Sequence, residues 1–263
     1  MVCELNIKVA HRAGNSFLKD AFLTPPFRIV PVGQYKKDKA AYLMIMSSSP
    51  GLLDGDTHNI EVDIAQGAKL QLQTQAYQRL FHMKGDSAQT MRVNLGQDAT
   101  FSFVPHPVVP QNASSFRSHN IIHLQKNNHV LLSDIVTCGR KMSGESFQYH
   151  HFQSLTECFI EGKLVLKDNV LLQPDKMPIQ GLGILEGYTH QGTLFYLNSA
   201  GVDVLSWIDK FHQQYGDRED LAFGISELQE KGFMVRVLGH GAEPMFDLFK
   251  DIQNQLWDAL FLQ

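Results

Sequence analysis

Three stretches of the chain can be written one beneath another: IEVDIAQGAKLQL (60–72), MRVNLGQDATFSF (91–103) and IIHLQKNNHVLL (121–132). Each is a run of alternating apolar residues, a polar turn and a second such run. Ile64, Leu95 and Leu124 fall in one column, the turn residues Gly67, Asp98 and Asn127 in another, and Leu70, Phe101 and Val130 in a third, at offsets of 31 and 29 residues. A recurring unit of this length cannot bury its apolar face alone and must stack on its neighbours. The repeat therefore predicts a mainly β fold, a β-helical or solenoid-like stack of short strands. No residue is invariant across the copies, so consecutive hairpins of a β-sandwich are the competing arrangement.

The same alternation runs through Leu5, Ile7 and Val9 near the start. Helical spacing appears twice, in the C-terminal third. In VDVLSWIDKFHQQYG, Leu205, Ile208, Phe211 and Tyr215 share a face, with Asp203 as cap and Gly216 as stop. In AEPMFDLFKDIQNQLWDALFLQ, Met245, Leu248, Phe249, Ile252, Leu256, Trp257 and Leu260 form a wide apolar stripe, and Pro244 suits a first helical position. Core packing is the default for that stripe. Its end, Trp257, Phe261 and Leu262, is a candidate partner surface, because few later residues can cover it.

With 263 residues, 43% apolar and 19% charged, and no linker or charge block, the whole chain 1–263 reads as a single domain. A net charge of −4 without a basic stripe argues against a nucleic-acid partner. The cysteines Cys3, Cys138 and Cys158 share no CxxC spacing and read as buried thiols. The N-terminus has no long apolar h-region and no long apolar run follows, so neither secretion nor membrane spanning is supported, and a cytoplasmic location is expected.

The histidines supply no metal motif. His119 and His123 are four apart, but NIIHL is strand-like, and on a strand they stand about 13 Å apart. His150 and His151 point to opposite faces, His106 sits between prolines, and His240 lies in a Gly-framed loop. No GxSxG, P-loop or dinucleotide fingerprint occurs. Two acidic stretches remain. SSSPGLLDGD (47–56) has the residues of a tight turn, and its Asp54 and Asp56 suit that role. In DIVTCGRKMSGESF (134–147), Asp134, Arg140 and Glu145 form either a buried ion-pair cluster or a plain surface salt bridge.

In chain order, FLTPPFRI, SPGLLDGD, LQLQTQAYQRLF, PHPVVPQNA, DIVTCGRKMSGESF, LEGYTHQGTLFYL and VRVLGHGAEPMFDLF resemble the successive landmarks of the urease accessory protein UreD (UreH) family. Each is weak alone; seven in sequence are specific. The resemblance implies a β-rich, β-helical fold and a non-enzymatic role. It implies a scaffold that binds the urease apoprotein with UreF-like and UreG-like accessory proteins and helps nickel, as transient Ni2+, reach the urease active site through a polar internal tunnel. Asp56, Asp134 and Glu145 match acidic positions of the family pattern and become candidates for the nickel path, with Arg140 as the ion-pair partner. Scattered carboxylates suit a conduit, since a tight cage would trap the ion, and no tightly bound cofactor is expected. The competing function is a β-helical carbohydrate-active enzyme using clustered carboxylates such as Asp54 and Asp56.

Overall fold

The computed structural model describes residues 1–33, 36–229 and 231–261. The first half of the chain forms strands β1 (Val2–Arg12), β2 (Asn15–Leu23), β3 (Phe27–Pro31), β4 (Ala41–Ser47), β5 (Gly51–Leu52), β6 (Thr57–Ile64), β7 (Lys69–Gln75), β8 (Gln78–Leu80), β9 (Ser87–Leu95), β10 (Thr100–Phe103), β11 (Val108–Pro110), β12 (Ser115–Leu124) and β13 (His129–Thr137). There follow β14 (His151–Ile160), β15 (Lys163–Leu172), β16 (His190–Asn198), helix α1 (Leu205–Tyr215), β17 (Leu221–Glu227), β18 (Gly232–Gly239) and helix α2 (Ala242–Leu256), which ends in a short π-helical turn, Trp257–Phe261. The fold is mainly β, in two mixed sheets that do not close on themselves.

The repeat sets the pairing. In the first sheet β1, β6, β9, β12 and β14 run parallel in that order; in the second, β4, β7, β10 and β13 do so. Each first run of a repeat thus pairs with the first run of the next, which rules out hairpins for these copies. Ile64 lies opposite Leu95, Leu70 opposite Phe101, and Phe101 opposite Val130, as the alignment requires. The turn column is equally regular. Gly67, Asp98 and Asn127 all take positive φ, a conformation open to Gly and tolerated by Asp and Asn. Asn127 Nδ2 also donates to Asp98 Oδ1 at 2.9 Å.

Antiparallel strands finish both sheets: β2 and β15 flank the first, while β3 and the set β16, β18 and β17 flank the second. Between the sheets the alternating residues Leu5, Ile7, Val62, Leu70, Val93, Phe101 and Ile122 pack a dry core, the main source of stability. The other face of the second sheet is covered by the two helices, whose Phe211, Met245, Leu248, Phe249 and Ile252 meet Leu131, Leu194 and Val235.

Several helix details differ from the sequence reading. Leu205 is 56% exposed, so the α1 stripe starts later. Asp203 Oδ1 does accept the Leu205 amide, at 3.0 Å, while Gly216 stays right-handed and stops the helix without a left-handed cap. Pro244 is the third residue of α2 rather than the first. The proposed partner surface is corrected too: Trp257 and Phe261 are at most 1% exposed, because the π-helical turn folds them onto Tyr42, His129 and Tyr196. Leu262 lies outside the described residues.

Candidate functional site

The inner face of the first sheet changes chemistry along its strands. On β12 and β14, Phe116 lies opposite Phe152, then Ser118 opposite Ser154, then Asn120 opposite Thr156, then Ile122 opposite Cys158. Two polar rows therefore run between two apolar ones. The Ser row continues across neighbouring strands as Gln89 on β9 and His58 on β6. The second sheet answers with Ser47, the last residue of β4, Thr74, next to last in β7, and Asp134, inside β13. Apolar clusters close the band on both sides, one built on Val62, Phe101 and Ile122, the other on Leu52, Phe116, Tyr149 and Phe152.

Between these rows lies a cavity of about 370 Å³. His58, Gln89, Ser118, Asn120, Thr74 and Asp134 line its interior. At its rim stand the exposed Ser47, Gln75, Ala76 and Arg79. Its polar groups are tied to one another: Gln78 Nε2 donates to Gln89 Oε1 at 3.1 Å, Ser118 Oγ to Ser154 Oγ at 3.1 Å, and Asn120 Nδ2 to Thr156 Oγ1 at 3.2 Å, while Thr74 Oγ1 accepts the His106 amide at 2.8 Å. No group of three or more His, Cys, Asp or Glu side chains among the described residues is arranged to hold a metal.

Asp134 is the acid that the fold brings to this cavity. Burial raises its carboxyl above the ordinary range; a hydrogen bond with Ser154 opposes the shift, and the like charge of Asp168 adds to it. Asp56 sits outside the lining, just before β6 and close to His58, 8% exposed. Its Oδ2 accepts the Leu53 amide at 2.9 Å, and its Oδ1 accepts from the Met1 ammonium at 3.0 Å. Burial works to raise its carboxyl, but those donors and the nearby His58 outweigh it and hold the group below the usual value. Asp54 Oδ1 accepts the Gly85 amide at 2.9 Å. Gly51 and Gly55 complete the turn: a Cβ on Gly51 would lie 2.1 Å from the Arg79 carbonyl oxygen, and Gly55 has φ +75°. Asp56 thus holds its own turn, next to the polar band, while Asp54 ties that turn to the loop at Gly85.

Asp56→Asn tests how much of that work is charge. Asn retains an acceptor for the Leu53 amide but loses the ionic partner, so a modest loss of stability at neutral pH is expected. A carboxyl lowered in the folded state stabilises above its unfolded value, near 3.9, and loses that contribution as pH falls through the folded value. The gap between wild type and variant should accordingly close below about pH 4 in thermal melts.

Glu145 and Arg140 pair with each other at the surface, Arg140 Nε donating to Glu145 Oε2 at 2.9 Å, and neither lines the cavity. The Arg140 guanidinium holds the Glu145 carboxyl low. Asp134 is no part of that pair, so the three-member cluster of the sequence reading does not form. His119 and His123 lie on β12 as a strand, and His119 Nε2 pairs with Glu157 Oε2 at 2.9 Å. The three cysteines are free and buried. No described helix is long and apolar enough to cross a membrane.

Sequence reasoning missed His58, Gln89, Ser118 and Ser154. The signal was present: each stands two residues before Ile60, Met91, Asn120 and Thr156, at the inward parity of an otherwise apolar strand.

A family model described as UreD urease accessory protein matches residues 2–263. The chain is 47% identical over 259 residues to the urease accessory protein UreD of Flavobacterium johnsoniae, covering 98% of this chain and 94% of that one. It is 31% identical to the UreD of Acetivibrio thermocellus, covering 96% of each, and 35% identical to that of Haemophilus influenzae, covering 92% and 94%.

Proposed function

Starting from a chain that belongs to the UreD family of urease accessory proteins, we propose that it is a non-catalytic scaffold of urease maturation, that it binds the urease apoprotein and UreF-like and UreG-like partners, and that it passes Ni2+ through the cavity between its sheets. The observation that carries this reading is the polar band. A stack of parallel coils, read here as β-helical, has no need of serine, glutamine and histidine in register between two dry layers. Even hydrogen-bonded, they add less to stability than apolar side chains packed in the same place would.

Weak ligands in series suit a cargo ion that must leave again. Asp134 offers a carboxylate at the inner end, and His58 with Asp56 offers an imidazole and a carboxylate near the first coil. Glu145, outside the cavity, fits better as a partner contact at the mouth of the Arg140 loop. Such work belongs in the cytoplasm, beside urease. The glycosidase alternative needs two carboxyl groups facing one cleft, whereas Asp54 and Asp56 are each committed to backbone amides.

The test is urease activation from purified components at limiting Ni2+, with and without this chain. Activity should depend on its presence, and the dependence should weaken as Ni2+ is raised. Activation that is the same without the chain at every nickel concentration contradicts the role.

A further inference from the structure

The polar band does not end at Asp134. Across β13, β16 and β18, Asp134, Thr193 and Arg236 stand opposite one another; across β12, β14 and β15, so do Asn120, Thr156 and Asp168. Opposed residues on neighbouring strands share a face. Two rows of three polar side chains therefore confront each other beyond the last parallel coil, where antiparallel strands cap the stack. Arg236 Nη1 donates to Thr193 Oγ1 at 3.3 Å, and Arg236 Nη2 donates to Asp168. That contact is a salt bridge joining the two sheets, from β18 of one to β15 of the other.

The cavity stops just short of it. Its lining includes Asn120, Asp134 and Phe152 but no residue of β15, β16 or β18. The Arg236 and Asp168 side chains are 41% and 15% exposed, so the pair stands between the inner end of the cavity and solvent.

We infer that the Arg236–Asp168 pair is a gate on the second end of the cavity. Closed, the guanidinium blocks the outlet and repels a divalent cation from Asp134. Opened, it leaves Asp134 and Asp168 as two carboxyl groups flanking a passage that runs from the Arg79 rim to the far surface. The inference rests on the reading of the cavity as a cation path. A partly solvated ion pair is cheap to break, so the closed state is held loosely. Arginine keeps its charge at any physiological pH, which makes this gate sensitive to salt rather than to acid.

The test uses the full chain carrying Thr156→Cys, at a position 4% exposed and opposite Asp168, and a small cationic thiol-reactive reagent. The native cysteines are buried, and the parent chain gives their background rate. Adding Arg236→Gln should speed labelling of the introduced thiol about tenfold. Arg236→Lys should restore part of the protection, and higher ionic strength should speed labelling while Arg236 is present. Asp168→Asn makes the same test from the other side if Arg236→Gln does not fold. Equal labelling rates with the pair intact and broken overturn the gate. Because labelling involves no nickel, that failure removes the gate alone, whereas failure of the activation assay removes the delivery role.

Discussion

Trp257→Ala is expected to cost about 3–5 kcal/mol of folding stability, the range for removing a fully buried aromatic ring. The residue is 1% exposed, its Nε1 donates to the Tyr42 hydroxyl at 2.8 Å, and its ring packs 5.8 Å from that of Tyr42 and 5.6 Å from that of Phe261. Tyr42 belongs to β4, so the indole fastens the end of the C-terminal helix to the second sheet. Truncation leaves a cavity and strips the Tyr42 hydroxyl of one partner, with Asp38 still bonded to it. Against a typical total of about 5–15 kcal/mol, the loss is large enough to lower a urea midpoint severely. A purely partner-facing Trp257 would instead leave the midpoint unchanged and weaken only complex formation.

That residue also marks one limit of reading the sequence. An apolar stripe running to a chain end looks uncovered in one dimension, yet the π-helical turn after Leu256 rotates Trp257 and Phe261 back onto the sheet. Tertiary closure of that kind leaves no local signature. The ladder was more legible. Ile64, Leu95 and Leu124, with Gly67, Asp98 and Asn127, specified pairing and turn conformation because parallel strands paired in register demand the same parity on each. The antiparallel caps at both ends carried no repeat and stayed hidden, and with them Asp168, Thr193 and Arg236.

Site residues divided along the same line. Asp134 was legible only as a charged neighbour of Arg140 and Glu145 and as an acid of the family pattern, and the fold separates it from both and places it in the cavity. Arg140 and Glu145 were close in sequence and did pair, but five residues of local loop suffice for that, and the pair says nothing about the interior. His58, Gln89 and Ser118 went unnoticed because each is unremarked alone; only the register makes them a row.

The cavity reading turns most directly on Asp134→Asn. Asp134 has a raised carboxyl in the folded state, because burial, together with Asp168, outweighs the help from Ser154. Ionising it at neutral pH therefore costs stability, a cost released as pH falls through the folded value. Asparagine has nearly the same shape and cannot ionise. The variant should melt higher than wild type at neutral pH, the two converging in acid. If the carboxylate is kept for cation passage, the more stable variant should be the poorer one in use, as groups held for function at the expense of stability are. The deciding measurement is urease activation against Ni2+ concentration for wild type and Asp134→Asn, with complex assembly verified in both. A several-fold loss at limiting Ni2+ that disappears at saturating Ni2+, in a variant with raised melting temperature, is the predicted result. Superimposable activation curves at limiting Ni2+ would contradict the passage of nickel through this cavity.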